Sequence, residues 1–147
     1  MSTLRHLVRR AVSSWSNAPL RPGEDERARA CLSPAELGLW EAMQPRDRRH
    51  SLEVHARFAA MWPTATRAEL AAALLHDVGK TVSGLGWAMR VVATVVGPRG
   101  GRLAAYHDHE RLGAAMLDGV SDARTVELVA GSVRDEVHAA LCRADDI

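Results

Sequence analysis

The sequence has few cysteines, and neither of them stands in a metal-binding or redox pattern. Cys31 and Cys142 are isolated, with no C-x-x-C spacing anywhere in the chain. Paired spacings of that kind would indicate a structural zinc site or a disulfide framework. We therefore expect two reduced thiols in a cytoplasmic protein, and any metal site has to draw on histidine and acidic residues.

The chain also lacks an excess of charge of either sign. Its 19 basic and 18 acidic residues leave a net charge of +1. Proteins that bind nucleic acid usually carry a positive field that steers them onto the phosphate backbone. No nucleic-acid partner is therefore expected.

No apolar run is long enough to span a membrane. The longest candidate, residues 85–97, is interrupted by Arg90, whereas a spanning helix needs about 20 apolar residues. Residues 4–15 have an amphipathic helical pattern that is compatible with a membrane surface. Because their apolar side is weak and no signal-peptide cleavage pattern follows, a helix packed against the domain is favoured over peripheral membrane contact.

Alternating polar and apolar residues, the pattern of a strand, are absent as well, and helix signals take their place. Capping boxes at Ser33 and Thr66 predict helix starts, and Pro45 and Pro63 bound another helix. Four further helices are predicted near residues 85–96, 108–118, 122–131 and 133–145. We predict an all-α, compact bundle of about six to eight helices in residues 33–147, preceded in residues 1–32 by the amphipathic helix and an exposed connection over 17–30.

The stretch AALLHDVGK, residues 72–80, is the most unusual part of the sequence. It places His76, Asp77 and Lys80, the only lysine, at the end of an apolar helix. Burying such groups without partners is costly, so either something binds them or they lie outside the core. A metal held between them would need further ligands from other helices. His50 lies far enough upstream for a pair of antiparallel helices to bring the two imidazoles together, and Asp145 follows apolar positions in the last predicted helix.

A set of two histidines and two aspartates has a mixed nitrogen and oxygen character. Such a set suits Mn²⁺, Fe, Co²⁺, Ni²⁺ or Mg²⁺ better than structural zinc, which normally uses thiolates. The sequence therefore predicts a divalent metal cofactor whose identity it does not fix.

Together these motifs resemble the HD-domain metal-dependent phosphohydrolases. The resemblance rests on RRHSLEV around His50, LLHDVGK around His76 and Asp77, and ADD around Asp145, in this order over about residues 45–147. It implies an HD-domain-like helical bundle with a divalent metal at its centre. It also implies hydrolysis of phosphate mono- or diesters of a small phosphorylated substrate, in the first place a nucleotide.

The resemblance implies a role for each matching position. His50, His76, Asp77 and Asp145 take the places of metal ligands, and Asp77 is also catalytic because it can orient the attacking water. Lys80 is the catalytic cation of the HD-x-GK variant and would neutralise phosphate oxygen. A rival interpretation is that Lys80 only balances the charge of a helix C-terminus.

Two further positions are candidates for the site. YHDHERLGAAML resembles the H-x-x-x-G-A segment of two-metal relatives and indicates His109 as a candidate ligand for a second metal. The pattern then departs from those relatives, because Ser132 stands near the place of another histidine, and His138 lies two turns from Asp145, too far to share its ion. One metal is therefore expected, with the second left open.

Arg49 is the other candidate, because an arginine beside His50 can bind a substrate phosphate through two hydrogen bonds. The cluster of Arg46, Arg48 and Arg49 is more often a solvated face. His6, His55 and His138 are interpreted as ordinary surface or core histidines.

Three functions follow from these patterns. The first is a metal-dependent phosphohydrolase in which metal-activated water attacks phosphorus. The second is a non-catalytic metal- or nucleotide-binding or regulatory module, and the third is a scaffold whose amphipathic first helix docks a partner. No Ser-His-Asp set with suitable sequence context competes with these, and no phosphate-cradling G-x-x-x-x-G-K-[ST] loop occurs in the sequence.

Overall fold

The computed structural model describes residues 17–84 and 102–147. Within these ranges the chain is all-helical, without strands, and has seven α-helices. They are α1 (Glu26–Cys31), α2 (Pro34–Glu41), α3 (Pro45–Met61), α4 (Arg67–Leu75), α5 (Arg102–Leu117), α6 (Ala123–Ala130) and α7 (Glu136–Asp145), and a 3₁₀ helix over Val78–Gly84 follows α4. The prediction of an all-α bundle of about six to eight helices is confirmed. The predicted helices at 4–15 and near 85–96 lie outside the described residues.

Local sequence signals set the starts of α2 and α4. The Ser33 hydroxyl accepts from the Glu36 backbone N–H at 3.3 Å, and the Glu36 carboxylate accepts from the Ser33 N–H at 2.8 Å. Thr66 and Glu69 make the same reciprocal pair at 3.3 and 2.9 Å. Both predicted capping boxes are therefore present, and each satisfies two backbone donors that a helix start leaves unpaired.

The core forms around α4, whose side chains from Ala71 to Leu75 are all fully buried. Alanine-rich α4 packs against both α3 and α6, while α3 also packs against α7. The largest apolar side chains of this core are Trp40 and Phe58. This arrangement brings the end of α4, the start of α3 and the end of α7 to one place in the bundle.

One local prediction needs correction. The segment 17–30 was expected to be an exposed connection, but it contains α1, in which Ala28 is fully buried in the same core as α2–α7. The Asp25 side chain makes no cap hydrogen bond, so the helix start lacks a sequence signal. In addition, α4 ends at Leu75, and a 3₁₀ helix begins at Val78.

The helices within residues 17–84 and 102–147 are all too short or too polar to cross a bilayer.

Candidate metal centre

Two imidazoles meet where the start of α3 reaches the end of α4. His50 lies in the second turn of α3, and His76 is the C-cap residue of α4. Their ring centroids are 5.5 Å apart, in an edge-to-face arrangement. The convergence fits the predicted antiparallel pair of helices, because the beginning of one helix lies beside the end of the next.

Asp145, the last residue of α7, contacts both rings. Its Oδ1 atom lies 2.7 Å from His50 Nε2 and 3.4 Å from His76 Nε2. The hydrogen bond with His50 and the nearby His76 imidazole lower the pKa of the Asp145 carboxyl far below its ordinary range. The carboxylate is therefore ionised in the folded chain.

The surroundings of the His76 Nε2 atom indicate what the site can bind. His76 Nδ1 lies 2.9 Å from the Ala73 carbonyl oxygen, and because a carbonyl only accepts, Nδ1 carries the hydrogen. Nε2 is buried, has no hydrogen-bond partner, and lies 3.5 Å from Asp77 Oδ2 as well as 3.4 Å from Asp145 Oδ1. A buried lone pair that faces carboxylate oxygens requires a positive charge beside it, supplied by a cation or a proton.

The pKa of His76 depends on its burial and on the two neighbouring carboxylates. Burial alone lowers the pKa of His76, but the Asp145 and Asp77 carboxylates raise it by more, so the pKa lies above its ordinary value. The surrounding charge thus favours a cation at Nε2.

The residues present fit a divalent metal. His50, His76 and Asp77 each offer one ligand atom, and these three atoms lie within 4.8 Å of one another. Among the described residues, no other group of histidine, cysteine or acidic side chains has this spacing. Asp145 adds a second carboxylate that touches both imidazoles. Nitrogen and oxygen donors in this mixture suit Mn²⁺, Fe, Co²⁺, Ni²⁺ or Mg²⁺.

Lys80 lies in the 3₁₀ helix, and its ammonium donates to Asp77 Oδ2 at 2.7 Å. Burial lowers the pKa of Lys80, but Asp77, with Asp47 and Asp145, raises it by more, so the side chain stays charged. Since α4 ends five residues earlier, at Leu75, Lys80 does not lie in its last turn, and its role in the site stays a prediction.

A cavity of about 120 Å³ opens beside these residues. Its polar lining comes from the end of α4, the 3₁₀ helix, α5 and α7, and comprises His76, Asp77, Lys80, His109, Glu110, His138, Cys142 and Asp145. His109 thus faces the cavity, and its Nδ1 is buried without a partner, while its assignment to a second metal stays a prediction. Ser132 is exposed and bonds to the Glu127 carbonyl, so it is not part of this lining.

Glu110, His138 and Cys142 also line the cavity, although the sequence motifs did not predict this. A signal was present for two of them, because positions 138, 142 and 145 follow the i, i+4, i+7 spacing of one helix face. Cys142 Sγ lies 3.8 Å from both ring nitrogens of His138. Burial, with Asp146, Asp145 and Glu110, raises the pKa of the Cys142 thiol, which opposes the thiolate that a nucleophilic cysteine needs.

Arg49 lies apart from the cavity. Its guanidinium donates to the carbonyl oxygens of Ala18 and Pro19 and lines a different groove, together with Glu24 and Glu53. The suggested contact of Arg49 with a substrate phosphate is therefore not supported by its position.

Comparison with models of protein families, with curated proteins and with solved structures finds no match for this chain. The assignment to the HD-domain phosphohydrolases consequently stays a prediction from its motifs.

Proposed function

We propose that the chain is a metal-dependent phosphohydrolase that acts on a phosphate mono- or diester of a small molecule, with nucleotides as the first class to test. One observation carries the proposal: the buried, unpartnered Nε2 of His76 faces the carboxylates of Asp77 and Asp145. A cation bound there would interact favourably with the Nε2 lone pair and with both carboxylates.

In this proposal His50, His76, Asp77 and Asp145 hold the metal. When bound, a divalent cation supplies Lewis acidity, which acidifies water and offsets negative charge on a phosphoryl oxygen. The hydrogen bond from His76 Nδ1 to the Ala73 carbonyl keeps Nε2 directed at the carboxylates, the kind of outer contact that orients a ligating histidine.

Asp77 and Lys80 lie side by side at the edge of the cavity, with 2.7 Å between carboxylate and ammonium. An Asp77 oxygen can accept a hydrogen bond from the attacking water and so orient it. The Lys80 ammonium can donate to a phosphate oxygen on which negative charge accumulates. These two tasks need placement and charge only.

The size of the cavity limits what it encloses. Its volume of about 120 Å³ is below the roughly 300–1,000 Å³ of pockets that enclose a whole drug-sized ligand. In this proposal the cavity formed by the described residues takes the reacting phosphate, and the rest of the substrate extends beyond it. The proposed setting is the cytoplasm, since Cys31 and Cys142 are both free thiols.

One observation favours the alternative of a non-catalytic binding or regulatory module. Two of the acidic groups already have partners within the chain, Asp77 with Lys80 and Asp145 with His50. Such pairs also form a stable polar network that needs no chemistry.

The test combines metal analysis with hydrolysis of p-nitrophenyl phosphate, bis-p-nitrophenyl phosphate and a panel of nucleotides in the presence of Mn²⁺. We expect His76→Ala and Asp77→Asn to lower kcat/KM by about 100-fold or more while the chain stays folded. His55→Ala is the matched control, because His55 lines a separate groove with Arg27 and Cys31 and is not part of the cavity lining. Metal binding without hydrolysis would favour the non-catalytic module, and failure to bind any divalent metal would overturn the phosphohydrolase and leave only a module that needs no metal.

A further inference from the structure

We propose that Arg57 is a positioning residue for Asp145 and thereby holds the proposed metal centre together. Arg57 Nη1 donates to the Ala144 carbonyl oxygen at 2.7 Å. Ala144 is fully buried and directly precedes Asp145. The Arg57 side chain is only 18% exposed, so its guanidinium is confined between α3 and the end of α7. This inference rests on the proposed function, because it concerns a ligand of the same centre.

The contact meets a need of the helix end. The last carbonyls of an α-helix have no partner within the helix. At the end of α7 the Asp146 N–H donates to the Cys142 carbonyl oxygen. The Ala144 carbonyl oxygen instead accepts from Arg57, which lies on another helix. A guanidinium at this end is also favoured by the partial negative charge of the helix C-terminus.

Arg57 and His50 contact adjacent residues in the last turn of α7. They are seven positions apart on α3, about two turns, and so lie on one face of that helix. His50 contacts the Asp145 carboxylate at 2.7 Å, and Arg57 holds the adjacent peptide group. The Asp145 side chain is 43% exposed, so little packing fixes it. The contact between Arg57 and the backbone therefore limits the positions that this carboxylate can take.

The other contact of Arg57 supplies a matched control. Its Nη2 lies 3.3 Å from Glu53 Oε2, one turn earlier on α3, and the Glu53 carboxylate is 46% exposed. A pair one turn apart on a helix, with one exposed partner, contributes little to stability. Glu53→Gln thus removes one partner of Arg57 and leaves the bond to Ala144 in place.

The experiment measures Mn²⁺ affinity of the full chain by titration calorimetry after removal of bound metal with a chelator. We expect Arg57→Met to weaken binding by roughly 10- to 100-fold, the range seen when outer contacts of metal ligands are lost. Arg57→Lys, which keeps the charge and one donor, should recover part of the affinity. Glu53→Gln should stay within about twofold of the wild type, since this pair is weak.

A double-mutant cycle separates positioning from a general structural role. In an Asp145→Asn background, Arg57→Met should cause little further loss of affinity, because the two residues act as one unit. If Arg57→Met binds Mn²⁺ like the wild type, or if the losses from the two variants simply add, the inference is overturned. Should Arg57→Met fail to fold, Arg57→Lys carries the same cycle. If His76→Ala also retains full Mn²⁺ affinity, the metal centre itself fails, and this outcome is distinct from failure of the inference on Arg57.

Discussion

His76 shows how a single residue takes its chemical character from its place at a helix end. The carbonyl of Ala73, three residues earlier, holds Nδ1 at 2.9 Å, and the ring is largely buried by the apolar end of α4. Because of these two constraints, Nε2 faces Asp77 and Asp145. The ring is thus oriented by its own helix before any ligand arrives, which reduces the cost of ordering a site.

Lys80 is the residue whose substitution should separate catalysis from metal binding. It contacts the Asp77 carboxylate but donates no electron pair to a metal. We expect Lys80→Met to lower kcat by about 100-fold, the scale seen when one charge-stabilising donor is removed, while Mn²⁺ affinity changes by less than about tenfold. Steady-state kinetics and calorimetric titration measure the two effects separately.

A suitable control for this prediction is Arg46→Met, which removes a cation that is 51% exposed and pairs with Asp47. Its kcat should stay within about twofold, because exposed charges are strongly screened. Equal losses in the two variants would show that Lys80 contributes only to the general charge of the surface.

Among the elements, the 3₁₀ helix is placed by a close backbone contact. A Cβ atom at Gly79 would lie 2.1 Å from the His109 carbonyl oxygen and 2.8 Å from the Gly113 nitrogen, both in α5. We therefore expect Gly79→Ala to lower the free energy of unfolding by about 2–4 kcal/mol, since two backbones would have to separate. Urea unfolding followed by circular dichroism measures the change.

Gly38→Ala is the matched control, because Gly38 lies inside α2 and an added Cβ would meet nothing within 4 Å. That variant should be more stable than the wild type by about 0.5–1 kcal/mol, the ordinary gain from replacing a helical glycine. A wild-type-like Gly79→Ala would show that the 3₁₀ helix and α5 are not in close backbone contact in solution.

The elements that the sequence predicts are those with local signals. Capping boxes at Ser33 and Thr66 mark the starts of α2 and α4 within four residues of sequence. Helix α1 was missed because Asp25 forms no side-chain cap and the burial of Ala28 depends on distant parts of the chain. Local chemistry therefore predicts where a helix begins, whereas burial from tertiary packing does not show in a short window.

The candidate site divides in the same way. The meeting of His50, His76 and Asp145 was expected from their motifs and from the pairing of helices. The positions of Glu110 and Arg49 were not, since Glu110 reaches the cavity only through the packing of α5 on Gly79. Arg49 turns away because its guanidinium donates to carbonyls 31 and 30 positions earlier in the chain.

At the scale of the whole molecule, one charged network ties distant elements together. Arg67, the first residue of α4, donates to the fully buried Glu36 of α2 at 2.9 Å and to Asp122, just before α6, at 2.5 Å. Burial raises the pKa of Glu36, but hydrogen bonds from Arg67 and from the Ser33 N–H lower it by more, so its pKa in the folded chain lies below its ordinary value.

This lowered pKa predicts how stability depends on pH. A carboxyl whose pKa is depressed by folding adds stability above its unfolded pKa, about 4.3 for glutamate, and loses that contribution as pH falls through the folded value. We expect Glu36→Gln to lower the free energy of unfolding by about 1.5–3 kcal/mol at pH 7, the scale of hydrogen bonds to charged groups. The difference from the wild type should shrink below about pH 4.3.

Urea unfolding of both proteins at a series of pH values, down to the lowest at which both are folded, measures this difference. Other carboxyl groups titrate over the same range, but they are common to both proteins and cancel in the comparison. Glu41→Gln is the control, since Glu41 makes an exposed pair with Arg29 at 2.8 Å and should change stability by less than about 1 kcal/mol. A difference between wild type and Glu36→Gln that stays constant from pH 7 into the acid range would contradict the prediction, because the charge of Glu36 would then contribute nothing to the network.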